Sequence, residues 1–169
     1  MKIGLISDTH GNKEQMIRAL DTLKETDCIL HAGDFYRDAL WLQSHYPGEV
    51  IPVTGNGDPE EAGPHERVLN IDGLSILLCH GHRHYLYRGL THLYYHGLEK
   101  KADLVVFGHT HVPTFFDEGL VIVNPGSTSR MRSDFGNTCA QLHTSPTPEF
   151  IVTNIDTREI VMRKTFKTG

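Results

Sequence analysis

The chain has 169 residues, 38% of them apolar, which suits one domain with a sizeable core and excludes a disordered chain. Twenty-one acidic against sixteen basic residues give a formal charge of −5 at pH 7, which argues against an electrostatic grip on long nucleic acid. The apolar runs fall far short of the ~20 residues that span a bilayer, no leader pattern follows Met1-Lys2, and three cysteines without a CxxC pair argue against a disulfide framework; a cytoplasmic protein with buried, reduced thiols at Cys28, Cys79 and Cys139 is expected.

In chain order, Lys2–Ser7 predicts a buried strand that ends in Asp8-Thr9-His10. Asn12 with Gln15 forms a capping-box pattern, and Met16, Leu20 and Leu23 at helical spacing predict a helix within Asn12–Glu25. Cys28–Ala32 predicts a second strand ending in Gly33-Asp34, and Asp38–His45 a second helix with Trp41 and Leu42 inward. Val50–Thr54 predicts a third strand, which runs into Gly55-Asn56-Gly57-Asp58. Arg67–Ile71 and Leu74–Cys79 flank Asp72-Gly73 as a hairpin whose second strand ends in His80-Gly81-His82. A third helix covers about Leu90–Lys101, with Leu90, Leu93, Tyr94 and Leu98 on one face, and Leu104–Phe107 is a strand ending in Gly108-His109-Thr110-His111. Short strands follow at Thr114–Asp117, Leu120–Val123, Thr138–Leu142, Phe150–Asn154 and Ile160–Phe166, with turns at Glu118-Gly119 and Asp156-Thr157. Strand–helix alternation favours a largely parallel sheet early in the chain. The strand-rich remainder asks for two packed sheets with helices outside, in one domain spanning residues 1–169.

In open α/β sheets, ligands bind beyond the carboxyl ends of the strands. Five such ends deliver Asp8, His10, Asp34, Asn56, His80, His109 and His111 to one edge. Each motif taken singly reads as a surface turn; their recurrence after five buried runs points to a metal site. This set of imidazoles, carboxylates and an amide oxygen exceeds the four positions of one tetrahedral zinc. It fits two ions ~3.5–4 Å apart sharing a carboxylate. Mixed nitrogen and oxygen donors without a thiolate suit manganese, iron, zinc or nickel better than calcium.

The series Asp8-x-His10, Gly33-Asp34, Gly55-Asn56, His80-Gly81-His82 and Gly108-His109-Thr110-His111, followed by Asn124-Pro125-Gly126-Ser127, resembles the calcineurin-like metallophosphoesterase superfamily. Within it the chain is similar to the small single-domain bacterial and archaeal phosphodiesterases, the Vps29-like group. The resemblance implies an α/β fold, a four-layer αββα sandwich of two mixed sheets flanked by helices. It implies that Asp8, His10 and His111 hold one metal, that Asn56, His80 and His109 hold a second, and that Asp34 bridges them. It also implies phosphodiester hydrolysis by a hydroxide shared between two divalent ions, manganese first, with nickel, iron, zinc or magnesium as the other choices. Asn56 is expected to touch a phosphoryl oxygen. The chain departs from larger members at Gly57, where they carry a histidine that assists the leaving group. Asp58 is expected to orient a histidine or a water, or else to serve as a turn aspartate in Asn-Gly-Asp-Pro.

Other residues carry less. His82 and His84 line the cleft or serve as loop histidines, His31 is expected as a packed, hydrogen-bonded imidazole, and Arg130 and Arg132 steer an anion or are solvated. Tyr85, Tyr87, Tyr94 and Tyr95 line a pocket or a subunit contact, Tyr94 chiefly as helix packing. The expected partner is a small phosphodiester, with no membrane and no long nucleic acid, and with a homo-oligomer left open. The competing functions are a non-catalytic Vps29-like interaction scaffold and a phosphomonoesterase or nucleotidase.

Overall fold

A computed structural model describes residues 1–145 and 147–167. The strands are β1 (Lys2–Ile6), β2 (Cys28–His31), β3 (Glu49–Pro52), β4 (Glu66–Ile71), β5 (Leu74–Cys79), β6 (Leu104–Val106), β7 (Thr114–Asp117), β8 (Val121–Asn124), β9 (Thr138–His143), β10 (Glu149–Asn154) and β11 (Ile160–Thr165). The α-helices are α1 (Lys13–Thr22), α2 (Tyr36–Gln43) and α3 (Thr91–Glu99). Asn12 caps α1 as its sequence pattern predicts: its Oδ1 accepts from the Gln15 N–H at 3.2 Å.

The strands form a six-stranded sheet, β11-β10-β9-β1-β2-β3, and a five-stranded sheet, β4-β5-β6-β8-β7. Alternate residues of each strand choose opposite faces, and the central strands β1, β2, β6 and β8 are buried on both. Ile3, Leu5 and Leu30 from one sheet meet Ile76, Leu78, Leu104 and Val106 from the other. On the outer face of the six-stranded sheet, Ile6 and Ile29 pack against Met16, Ala19 and Leu23 of the α1 region and Ala39 and Leu42 of α2. On the outer face of the five-stranded sheet, Leu77, Val105, Phe107 and Ile122 pack against Leu93 of α3. The layers therefore run helix, sheet, sheet, helix.

The parallel pairing expected early in the chain is present in β1, β2 and β3, and both sheets are mixed, as the resemblance implies. Strands β1, β2 and β3 pair in parallel because α1 and α2 supply the crossovers. Strands β9, β10 and β11 follow one another too closely in sequence for a crossover and pair antiparallel, and β9 closes antiparallel onto β1. A correction concerns α3. Leu98 faces solvent at 45% exposure, and Gly97 takes the inward position. A Cβ on Gly97 would lie 2.6 Å from Leu120 and 2.7 Å from Val105, so the helix approaches the sheet closely there and turns Leu98 away. The three cysteines are free and buried, as the sequence predicts.

Candidate metal centre

The five predicted strand ends come from both sheets: β1, β2 and β3 belong to one, β5 and β6 to the other. Their carboxyl ends converge because backbone hydrogen bonds bind the loops together. Asp8 N–H donates to the Gly33 carbonyl at 3.0 Å, and Gly108 N–H to the His80 carbonyl at 3.1 Å. Gly33 has φ +90°, and a Cβ there would lie 2.7 Å from the His80 ring, so glycine permits both the turn and the approach.

Five of the seven candidate ligands sit in the left-handed region: Asp8 (φ 54°), His10 (46°), Asp34 (58°), His109 (67°) and His111 (61°). Each such residue without glycine's freedom costs of order 1–3 kcal/mol, and such strain concentrates at functional sites. Hydrogen bonds hold these turns in place. Ser127 Oγ donates to the Asp8 carbonyl at 3.0 Å, Ser129 Oγ to the Thr9 carbonyl at 2.8 Å, and Thr128 N–H to the Ser7 carbonyl at 3.1 Å. Asn124 Nδ2 donates to the Gly108 carbonyl at 2.8 Å. The Asn124–Ser127 segment thus fastens the β1 and β6 ends.

One ligand atom each of Asp8, His10, Asp34 and His111 lies within 4.8 Å of the others. Asp8 Oδ2 accepts from Ser7 Oγ at 2.6 Å and from the His109 N–H at 3.0 Å. Asp8 Oδ1 is buried with no hydrogen bond, although His111 Nε2 stands 3.1 Å away. His111 Nδ1–H donates to the Arg130 carbonyl at 2.6 Å, which turns the Nε2 lone pair toward Asp8. His10 Nε2 lies 3.4 Å from His111 Nε2. Acceptors this close need a positive charge among them, either a proton on His111 or a metal ion. This donor set fits a metal.

His80 and Asn56 complete the other side. His80 Nδ1–H donates to the Ala32 carbonyl at 2.7 Å, leaving Nε2 to face Asp34 Oδ1 at 3.3 Å and Asn56 Oδ1 at 3.2 Å. The His109 ring lies edge-on to His80, centroids 5.1 Å apart. Asp34 divides its oxygens: Oδ1 faces His80, and Oδ2 lies 3.8 Å from His10 Nε2.

Burial pushes the Asp8 pKa up, but His111, His80 and Ser7 outweigh it and hold the carboxyl below its ordinary value. Burial pushes His111 down, and the Asp8 carboxylate reverses that to a net rise. Burial pushes the His10 and His109 pKa values down, which favours the neutral rings that metal binding requires.

Asp58 touches no histidine among the described residues. Its Oδ1 accepts from the Tyr36 N–H at 2.6 Å and its Oδ2 from the Gly55 N–H at 2.9 Å. It caps α2 and fixes the turn that carries Asn56. Gly57 has no positive φ, and its N–H donates to Asp34 Oδ1 at 2.8 Å. His82 packs against the site, 6.3 Å from the His109 ring, with burial pushing its pKa down to about 4. Arg130 and Arg132 are exposed.

The sequence reading placed His31 near the site without its partners. The structure supplies them: His31 Nε2 lies 3.2 Å from Thr9 Oγ1, which donates to Asp38 Oδ2 at 2.7 Å, and that oxygen also accepts from the Gly11 N–H at 2.7 Å. This buried chain holds the loop that carries His10.

Residues 1–147 match the calcineurin-like phosphoesterase superfamily domain. A probable metallophosphoesterase of Methanothermobacter thermautotrophicus is 36% identical over 134 residues, covering 75% of this chain and 77% of the relative. A phosphodiesterase of Methanocaldococcus jannaschii is 27% identical over 146 residues, covering 75% of this chain and 83% of that protein. Wild-type Vps29 from Entamoeba histolytica, solved with zinc, has the same fold at a TM-score of 0.81 and 20% identity, covering 99% of this chain and 100% of that one.

Proposed function

The chain belongs to the calcineurin-like phosphoesterase superfamily, and from that membership we propose a hydrolase of small phosphodiesters that works with two divalent ions, manganese first. The observation that supports two ions is the division of Asp34, one oxygen toward His80 and Asn56, the other toward His10. Asp8, His10 and His111 would hold one ion, Asn56, His80 and His109 the other, and Asp34 both. When bound, such ions lower the pKa of a water and neutralise charge on phosphoryl oxygens.

The chain's own residues do the rest. The Ala32 and Arg130 carbonyls fix the His80 and His111 tautomers, so each presents a lone pair without rearrangement. Asp8 and Asp34, 0% and 4% exposed, are buried carboxyl groups that accept from Ser7 Oγ and the His109 N–H and from the Gly57 N–H respectively. Asn56 is exposed and directs its Oδ1 toward His80, which leaves Nδ2 to donate to a phosphoryl oxygen. Gly57 supplies no proton to a leaving group. The free, buried thiols support a reducing, cytoplasmic compartment.

The test is turnover of bis(p-nitrophenyl) phosphate and of p-nitrophenyl phosphate after chelation and reloading with manganese, nickel, zinc or magnesium. Metal-dependent cleavage of the diester, faster than that of the monoester, is the expected result. Faster monoester cleavage would assign a phosphomonoesterase. Folded, metal-loaded protein without either activity would favour an interaction scaffold, a reading supported by the exposed Tyr85, Tyr87 and Tyr95.

A further inference from the structure

Away from the Asp34 centre, Glu66 on β4, His84 in the short 3₁₀ helix 82–84 and His96 on α3 meet in one cleft. One ligand atom of each lies within 4.8 Å of the other two, and all three residues are half-buried. His96 Nε2 stands 2.7 Å from Glu66 Oε2. The His84 and His96 rings lie 4.7 Å apart. The cleft has a volume of about 390 Å³ and extends to His80 and His82.

An ion pair accounts for part of this group. Lys100 Nζ holds Glu66 Oε1 at 2.7 Å, and His96 takes the other oxygen. It does not account for His84, whose ring makes no hydrogen bond among the described residues and yet stands beside another imidazole. Burial and the nearby His96 push the His84 pKa down, which favours the neutral ring that has a lone pair to give.

We infer that Glu66, His84 and His96 form a further divalent metal site, favouring zinc, distinct from the Asp34 centre. Two imidazole nitrogens and one carboxylate oxygen are a zinc donor set that leaves the fourth position open. Lys100 occupies Oε1, so Glu66 offers Oε2 alone. Glu99 Oε2 lies 3.6 Å from His96 Nδ1, behind the ring, where a carboxylate orients a metal-binding histidine. Donors around tetrahedral zinc lie about 3.3 Å apart, so the His96–Glu66 contact opens by about half an ångström when the ion replaces the shared proton.

The experiment is equilibrium dialysis of chelator-treated protein against zinc at pH 7, with metal counted per chain, alongside cobalt substitution read by visible ligand-field absorption. His84→Ala and His96→Gln are each expected to bind one zinc fewer than the parent, to lose the corresponding cobalt band and to keep the parent's melting profile and phosphoesterase activity. Asp34→Asn should retain that same zinc. Lys100→Met, which keeps all three ligands and removes a facing cation, should tighten the site by about tenfold. Unchanged zinc stoichiometry in His84→Ala and His96→Gln overturns the proposal, and so does a Lys100→Met protein with no gain in zinc affinity. Should His96→Gln unfold, His84→Ala on the short helix decides the question by the same count.

Discussion

Gly57 holds Asp34 by its backbone: the N–H donates to Oδ1 at 2.8 Å, the same oxygen that faces His80. The carboxylate is thereby set between two groups of ligands. Asp34→Asn replaces one of its oxygens by an NH2 group, which either sets donor against donor at Gly57 or removes a metal ligand. Activity on an activated diester should fall by more than about 10²-fold, further than on loss of any single histidine. Metal content and turnover, measured together, check this. Activity equal to the parent's would remove the shared role of Asp34.

Gly57→His tests the missing proton donor. A Cβ at Gly57 would lie 3.2 Å from Asp34 Oδ1 and 3.4 Å from the Phe35 ring, a tight fit that a shift of a few tenths of an ångström accommodates. General acid catalysis is typically worth about 10²–10⁴-fold, mainly for poor leaving groups. The parent should show a steep fall in rate as leaving-group pKa rises, and Gly57→His should flatten it. A shallow slope in the parent would show that another group already protonates the leaving oxygen.

Asp58 separates a positioning role from a chemical one. Its two bonds, to the Tyr36 and Gly55 amides, predict that Asp58→Ala destabilises the fold by roughly 1.5–3 kcal/mol and weakens metal binding through Asn56. At saturating metal, kcat should stay close to the parent's. A large loss of kcat with normal metal content and stability would instead place Asp58 in the reaction.

His31 predicts a pH dependence of stability. Burial holds its pKa at about 4, against 6.5 when unfolded. Between these values the unfolded chain binds the proton and the folded one does not, so stability is full above pH 6.5 and is lost as pH falls toward 4. The gap corresponds to roughly 3 kcal/mol. Denaturant unfolding of the parent and of His31→Gln across this range should show the slope reduced in the variant; parallel slopes would contradict it.

Much of this was legible in the chain. The five strands that end in Asp8, Asp34, Asn56, His80 and His109 were readable because short Ile-, Leu- and Val-rich runs stop at glycine or a polar residue, and the Asn12 cap because its chemistry is local. Sheet membership was not, since nothing within β1 or β6 states which strand lies beside it. The inward turn of Gly97 escaped a periodicity argument that scores leucines and ignores glycine. Ser127 was named as part of a motif, but its role, like those of Ser129 and the Arg130 carbonyl, escaped because it is to hold a residue more than a hundred positions away or to fix one nitrogen of a ring. Asp58 was readable as a turn residue, but its reach to α2 was not.

Strand β1 lies between β2 and β9, and the turn beyond it is held by Ser127, Thr128 and Ser129. On a ribosome β1 emerges well before its second neighbour, β9, which lies more than 130 positions later. A nascent chain stopped before residue 127 would display Asp8, His10 and Asp34 without the bonds that hold them in left-handed turns. Metal capture should therefore lag behind synthesis of β1, and arrested chains ending at residue 126 should stay protease-sensitive in manganese while released chains that include residues 127–167 become resistant.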